Sequence, residues 1–181
     1  ARALGVKLQF ETEAADVSAY ADYDLIVGAD GVSSRVRATH ADVFKPDIDV
    51  RACKYIWLGT HQKFDDAFTF IFEQTGHGWI WAHAYQFEPE TATFIVECSE
   101  PTWRSLGFDA MSQEETLAAC ERIFASNLGG NRLMSNARHL RGSAWLNFNR
   151  VLCRRWYTRN IVLIGDAAHT AFLRKRIYVR H

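Results

Sequence analysis

The feature that most constrains this chain occurs twice: an unbroken apolar run that ends in glycine and aspartate. Near the start, Asp24-Leu25-Ile26-Val27 runs into Gly28-Ala29-Asp30-Gly31; near the end, Asn160-Ile161-Val162-Leu163-Ile164 runs into Gly165-Asp166-Ala167-Ala168-His169. A short continuous apolar run is the composition of a strand buried on both faces in a parallel sheet. A glycine turn at its end lets backbone N–H groups approach a phosphate, while the carboxylate accepts hydrogen bonds from ribose or ribityl hydroxyls. Alone, Asp30 reads equally well as a helix cap and Asp166 as a turn residue. The pair together points to a nucleotide.

Between the two motifs the pattern changes. Cys53 to Thr60, Phe68 to Gln74, Trp79 to Phe87 and Thr91 to Glu97 alternate aromatic with small or polar residues, separated by Gly76-His77-Gly78 and Glu88-Pro89-Glu90. This predicts an antiparallel sheet joined by hairpins, its strands paired in sequence order. Ser112 to Leu128 shows helical spacing, with Ser112 and Glu115 as a capping box and Gly129-Gly130 as the stop. A strand is expected from Ser143 to Asn149, a helix from Arg35 capped by Ser33 or Ser34, and a helix end at Gly5 running into a strand by Phe10. The fold class is therefore α/β with an α+β insert, part of a Rossmann-like nucleotide-binding domain holding an inserted antiparallel-sheet domain. The divisions are residues 1–44 and 155–171 for the former, 45–154 for the latter, and 172–181 as an atypical basic tail.

Other classes are set aside. With 181 residues, zero formal net charge and scattered basic residues, nothing favours nucleic acid as a partner. The sequence carries neither a long apolar span nor a signal-peptide pattern, so no membrane association and a cytoplasmic location are expected. Cys53, Cys98, Cys120 and Cys153 are too widely spaced for a metal site and read as free thiols, so no metal is expected.

The stretch from Asp24 to Arg37 resembles the DG motif of single-component flavoprotein aromatic hydroxylases, the p-hydroxybenzoate hydroxylase group, and Asn160 to His169 resembles its GD motif. Lys54 to Thr60, Ala82 to Tyr85 and Thr93 to Glu100 are similar to the branch containing salicylyl-CoA 5-hydroxylase, 2-aminobenzoyl-CoA monooxygenase/reductase and the violacein-pathway hydroxylase. The resemblance implies a flavin-dependent monooxygenase that hydroxylates an electron-rich aromatic, an aryl-CoA in preference, through a flavin C4a-hydroperoxide with NAD(P)H and O2. It implies FAD as cofactor. Asp166 would hold the ribityl chain, and Asp30, Gly31 and Arg37 would lie by the pyrophosphate, with Gly165, Ala167 and His169 completing the cofactor site. The family's N-terminal G-x-G-x-x-G turn is missing, and Phe172 to His181 departs from its pattern, so the chain reads as a fragment, inactive alone.

The protein's share of such a reaction is a dry, shaped aromatic pocket. Trp79, Trp81, His83 and Tyr85 alternate onto one face of their strand, and Tyr55 and Trp57 are expected on opposite faces of a neighbouring one. Trp57, Trp79, Trp81 and Tyr85 are the candidate substrate wall, against the plainer reading of packed core. His83 is the catalytic candidate, able to hydrogen-bond a phenol or amine or to act as general base. Two alternatives stay open. Another flavin enzyme, such as a halogenase or reductase, would fit the fold, although Gly78-Trp79-Ile80-Trp81-Ala82 lacks the Ile-Pro a halogenase needs. A non-enzymatic sheet module is the other.

Overall fold

The computed structural model describes residues 1–14, 16–64, 67–135 and 144–170; the basic tail from 172 to 181 lies outside the described residues, as does Ser143. In chain order the elements are β1 (Ile26–Gly28), α1 (Arg35–Thr39), α2 (Ala41–Phe44), β2 (Pro46–Thr60), β3 (Thr69–Thr75), β4 (Gly78–Glu88), β5 (Thr91–Cys98), α3 (Glu100–Ser105), α4 (Gln113–Ile123), α5 (Ala125–Leu128), β6 (Leu133–Met134), β7 (Leu146–Cys153), β8 (Tyr157–Thr158) and β9 (Ile161–Leu163). They divide into two compact units, Ala1–Asp49 with Asn149–His181 and, inserted between, Val50–Phe148. The divisions fall within β2 and β7, the two strands that run continuously from one unit into the other.

In the first unit β1 pairs with β9 in parallel, and β9 folds back on β8. The two apolar runs, 135 residues apart at Ile26 and Ile161, are thus neighbours in register. Asn160 ties the segment before β1 to this hairpin, its side-chain amide donating to the carbonyls of Ala21 and Tyr23 at 3.2 and 2.6 Å. Ile161, Leu163, Val151, Phe44 and Ala167 form the core beneath. Gly28 is required by close approach: a Cβ there would sit 2.9 Å from Leu163 Cδ2 and 3.2 Å from Val36 Cγ1. Leu163 is fully buried and Val36 is stiff at χ1, so neither yields easily. Gly28→Ala is expected to destabilise the protein by roughly 1–3 kcal/mol in urea unfolding, the usual penalty for overpacking.

The N-terminal expectation is corrected. A 3-10 turn at Arg2–Leu4 does close on Gly5 at φ 80°, but residues 6–10 form no strand. Among the described residues nothing pairs with this segment, and an extended chain without a ladder partner has no sheet to join.

The second unit is a sheet in the order β3-β4-β5-β2-β6, with β7 also pairing β2. The two-residue turns Gly76-His77 and Pro89-Glu90 join β3, β4 and β5 as expected. Pairing in strict sequence order fails at β2, which lies beside β5 and not beside β3. The cause lies in β5: Ala92, Phe94, Val96 and Cys98 are fully buried. So apolar a strand is most stable with neighbours on both edges, which puts β5 at the centre. One sheet face, built from Ile56, Leu58, Ile71, Ile80, Phe94 and Val96, packs against the helices. The capping box at α4 is formed, Ser112 Oγ accepting from Glu115 N at 3.2 Å and Glu115 Oε2 from Ser112 N at 2.8 Å. The single helix expected over 112–128 is instead two: the chain breaks at buried Phe124, whose ring meets Phe94 edge-on at 5.4 Å, and α5 stops at Gly129 in the left-handed region.

Candidate functional site

Because β1 and β9 are parallel neighbours, both glycine-aspartate turns leave the same end of the small sheet, the end where open α/β sheets bind ligands. Ile164 N donates to Gly28 O at 3.0 Å, which carries the pairing to the edge of the turns. Gly31 holds φ 78°, and Asp30 then reaches α1, its Oδ2 accepting from the N–H groups of Arg35 and Val36 at 2.7 and 3.1 Å. Burial pushes the Asp30 carboxyl up, but hydrogen bonds from Ser34 and from the Val36 and Arg35 backbone outweigh it and hold the group below its ordinary value. Asp30 is thus engaged as a helix cap.

Arg37 turns inward. Only 5% of it is exposed, and its guanidinium donates to the carbonyls of Ala167 at 2.9 Å, Asp166 at 3.5 Å and Val32. It therefore staples the first turn to the second. Three of its hydrogen bonds thus go to backbone carbonyls of the two turns, a structural part beside the one the resemblance implies. Asp166 is the opposite case, exposed and, among the described residues, with no hydrogen-bond partner for its carboxylate. Gly165 sits at φ 56°, Ala167 is fully buried, and His169 is exposed with its ring stacked at 6.2 Å on Trp156. Sequence reading missed Trp156. It stands 13 residues before its partner, and no local signal links them. A cleft of about 470 Å³ borders this site, lined by Tyr20, Ile26, Gly28, Asp30, Ser33 and Arg35 among others.

The second unit turns the other face of its sheet outward. Strand register places Phe70, His83, Ile95 and Trp57 in one row and Phe72, Trp81, Glu97 and Tyr55 in the next. Tyr85 lies beside His83 with Phe68 stacked on it at 5.2 Å, and Trp79 follows Trp81. Tyr55 and Trp57, expected on opposite faces, share this one, as residues two apart in a strand must. Trp57, with Gly59, Phe87, Thr93 and Met134, lines a groove of about 370 Å³. Glu97 is the polar residue that sequence reading overlooked. Its Oε2 accepts from Trp81 Nε1 at 3.1 Å, and its Oε1 stands 3.7 Å from His83 Nδ1. Burial raises the Glu97 carboxyl against the lowering pull of the indole N–H, and burial lowers the His83 imidazole. Tyr55 is raised, first by burial and then by the charge of Glu97.

Cys98, Cys120 and Cys153 are buried and Cys53 half-buried, all as free thiols. Among the described residues there is no cluster able to hold a metal ion, and no helix is long and apolar enough to cross a membrane.

No protein-family model matches the chain. It is 39% identical over 179 residues to salicyloyl-CoA 5-hydroxylase of a Streptomyces species, covering 94% of this chain and 34% of that protein. It is 35% identical over 168 residues to protodeoxyviolaceinate monooxygenase of Chromobacterium violaceum, covering 92% of this chain and 43% of that protein. The chain thus spans less than half the length of the curated relatives it matches. Among solved structures, 2-methyl-3-hydroxypyridine-5-carboxylic acid oxygenase aligns with a TM-score of 0.56 at 20% identity, over 81% of this chain and 38% of that one, which shows a shared fold.

Proposed function

We propose that this chain is part of an FAD-dependent aromatic monooxygenase, like the salicyloyl-CoA 5-hydroxylase and protodeoxyviolaceinate monooxygenase it is similar to, and that its full-length parent hydroxylates an electron-rich aryl-CoA thioester. FAD is the cofactor, and NAD(P)H and O2 are co-substrates. The observation that carries the flavin assignment is the pairing of β1 with β9, which brings two glycine-aspartate turns side by side with one exposed carboxylate that has no partner among the described residues. The site's chemistry fits the group. Asp166 is free to accept hydrogen bonds from ribityl hydroxyls, and Gly31 and Gly165 keep the backbone open to close approach. Asp30, Arg37 and Ala167 hold both turns in place from within. His169, on Trp156, offers a flat ring at the rim.

When bound, the flavin supplies the oxygen chemistry; the chain must orient a ring and keep water away from it. The aromatic face of the second unit suits that task. Trp57, Trp79, Trp81 and Tyr85 give a wall on which a planar substrate can stack, and His83 places one polar group among them. The aryl-CoA class is supported by the name of one relative, and the open groove at Trp57 offers room beside the wall.

The test is direct. The full-length parent is titrated with FAD by flavin fluorescence, and NADH consumption is then followed with and without salicyloyl-CoA. Tight FAD binding, faster NADH consumption with the thioester and a hydroxylated product support the reading. A parent that binds no flavin sinks it, and one that binds flavin but ignores the thioester removes the substrate class alone.

A further inference from the structure

The aromatic face carries a carboxylate where its packing needs none. Glu97 lies between Trp81 on β4 and Tyr55 on β2 in the strand register, with its side chain 15% exposed. One oxygen has the Trp81 indole at 3.1 Å, and the other faces His83 Nδ1 at 3.7 Å. A nearly enclosed carboxylate with one short hydrogen bond is costly to keep ionised, and an apolar residue would serve packing as well. His83 is itself 17% exposed at the side chain and flanked by the rings of Phe68 and Phe70 at 5.5 and 6.0 Å. Among the described residues its Nε2 has no hydrogen-bond partner.

We propose that Glu97 is a positioning residue that holds the His83 imidazole through Nδ1, so that Nε2 takes the proton of a hydroxyl group on an aromatic ring laid against this face. The idea rests on the monooxygenase reading and narrows its substrates to rings bearing such a group. In the step, the substituent's O–H bond breaks, and its electron pair stays on the oxygen and enriches the ring. The proton passes to Nε2, and the imidazolium then shares its Nδ1–H with the Glu97 carboxylate.

The surroundings leave this pair to act. Burial favours the neutral imidazole, the form that can accept a proton. On the same face β2 brings Tyr55, Cys53 and Arg51, β4 brings Tyr85, and among the described residues β3 brings Phe70, Phe72 and Gln74. Tyr55 and Cys53 are both raised, by burial first and by Glu97 second, so neither competes as a base near neutral pH.

The experiment uses the flavin-loaded full-length parent with salicyloyl-CoA as the phenolic probe. Glu97→Gln should lower kcat roughly tenfold or more and move the acid limb of the kcat profile down by about one pH unit, because the imidazolium loses its counter-charge. Trp81→Phe removes the hydrogen bond that favours the ionised Glu97, weakens the same counter-charge, and should move the limb down as well, by a smaller amount. Flavin content and absorbance report that each variant is folded. An acid limb that stays in place in both folded variants, whatever happens to kcat, overturns the proposal, since a packing role changes rate without changing proton affinity. If the wild-type parent holds FAD yet hydroxylates no ring, the monooxygenase reading has failed first and the proposal falls with it.

Discussion

Arg37→Ala in the full-length parent should destabilise the protein by on the order of 3 kcal/mol in urea unfolding, because the guanidinium's charge-assisted hydrogen bonds disappear and buried carbonyls are left unsatisfied. The side chain is nearly enclosed and bonds to Ala167, Asp166 and Val32. No other side chain has its planar fork, so Arg37→Lys should recover less than half of the loss: an ammonium is a point donor on a flexible stem and cannot span two turns. A loss below about 0.5 kcal/mol, the range of ordinary surface substitutions, would mean that the two turns hold together without the staple.

Asp166→Ala should behave in the reverse way. The carboxylate is exposed and bonded to nothing among the described residues, so stability should move by no more than about 0.5 kcal/mol. FAD affinity should fall by roughly a hundredfold, the equivalent of losing two charge-assisted hydrogen bonds to ribityl hydroxyls. Fluorescence titration beside urea unfolding separates the outcomes. Unchanged affinity would remove Asp166 from the cofactor site, and a large stability loss would give it a structural part.

These two residues also mark how far the sequence could be read. The turns were legible because an apolar run ending in glycine and aspartate occurs twice in one chain, and period-two alternation located β3, β4 and β5 within a residue or so of their ends. What could not be read was direction and partnership. Arg37 reads as a ligand-side cation in the sequence, and only the fold shows the three carbonyls that it also bonds. Glu97 is the one charged residue of a largely apolar strand, and only the register shows that Trp81 and Tyr55 flank it while His83 is diagonal to it. The placement of β2 beside β5 depends on which strand buries most, a property of the whole sheet. The break at Phe124 is likewise tertiary, since nothing in 112–128 interrupts the helical spacing.

The parallel register of Ile26 with Ile161 also sets an order of events during synthesis. When β1 leaves the ribosome its partner has not been translated, and at about 5–20 residues per second the wait is on the order of ten seconds. All of Val50–Phe148 emerges in that interval and has the contacts to condense by itself. The inserted unit is therefore finished before the strand pair that flanks it can zip. Translation pauses and chaperones would act on an open first unit holding an already folded second one.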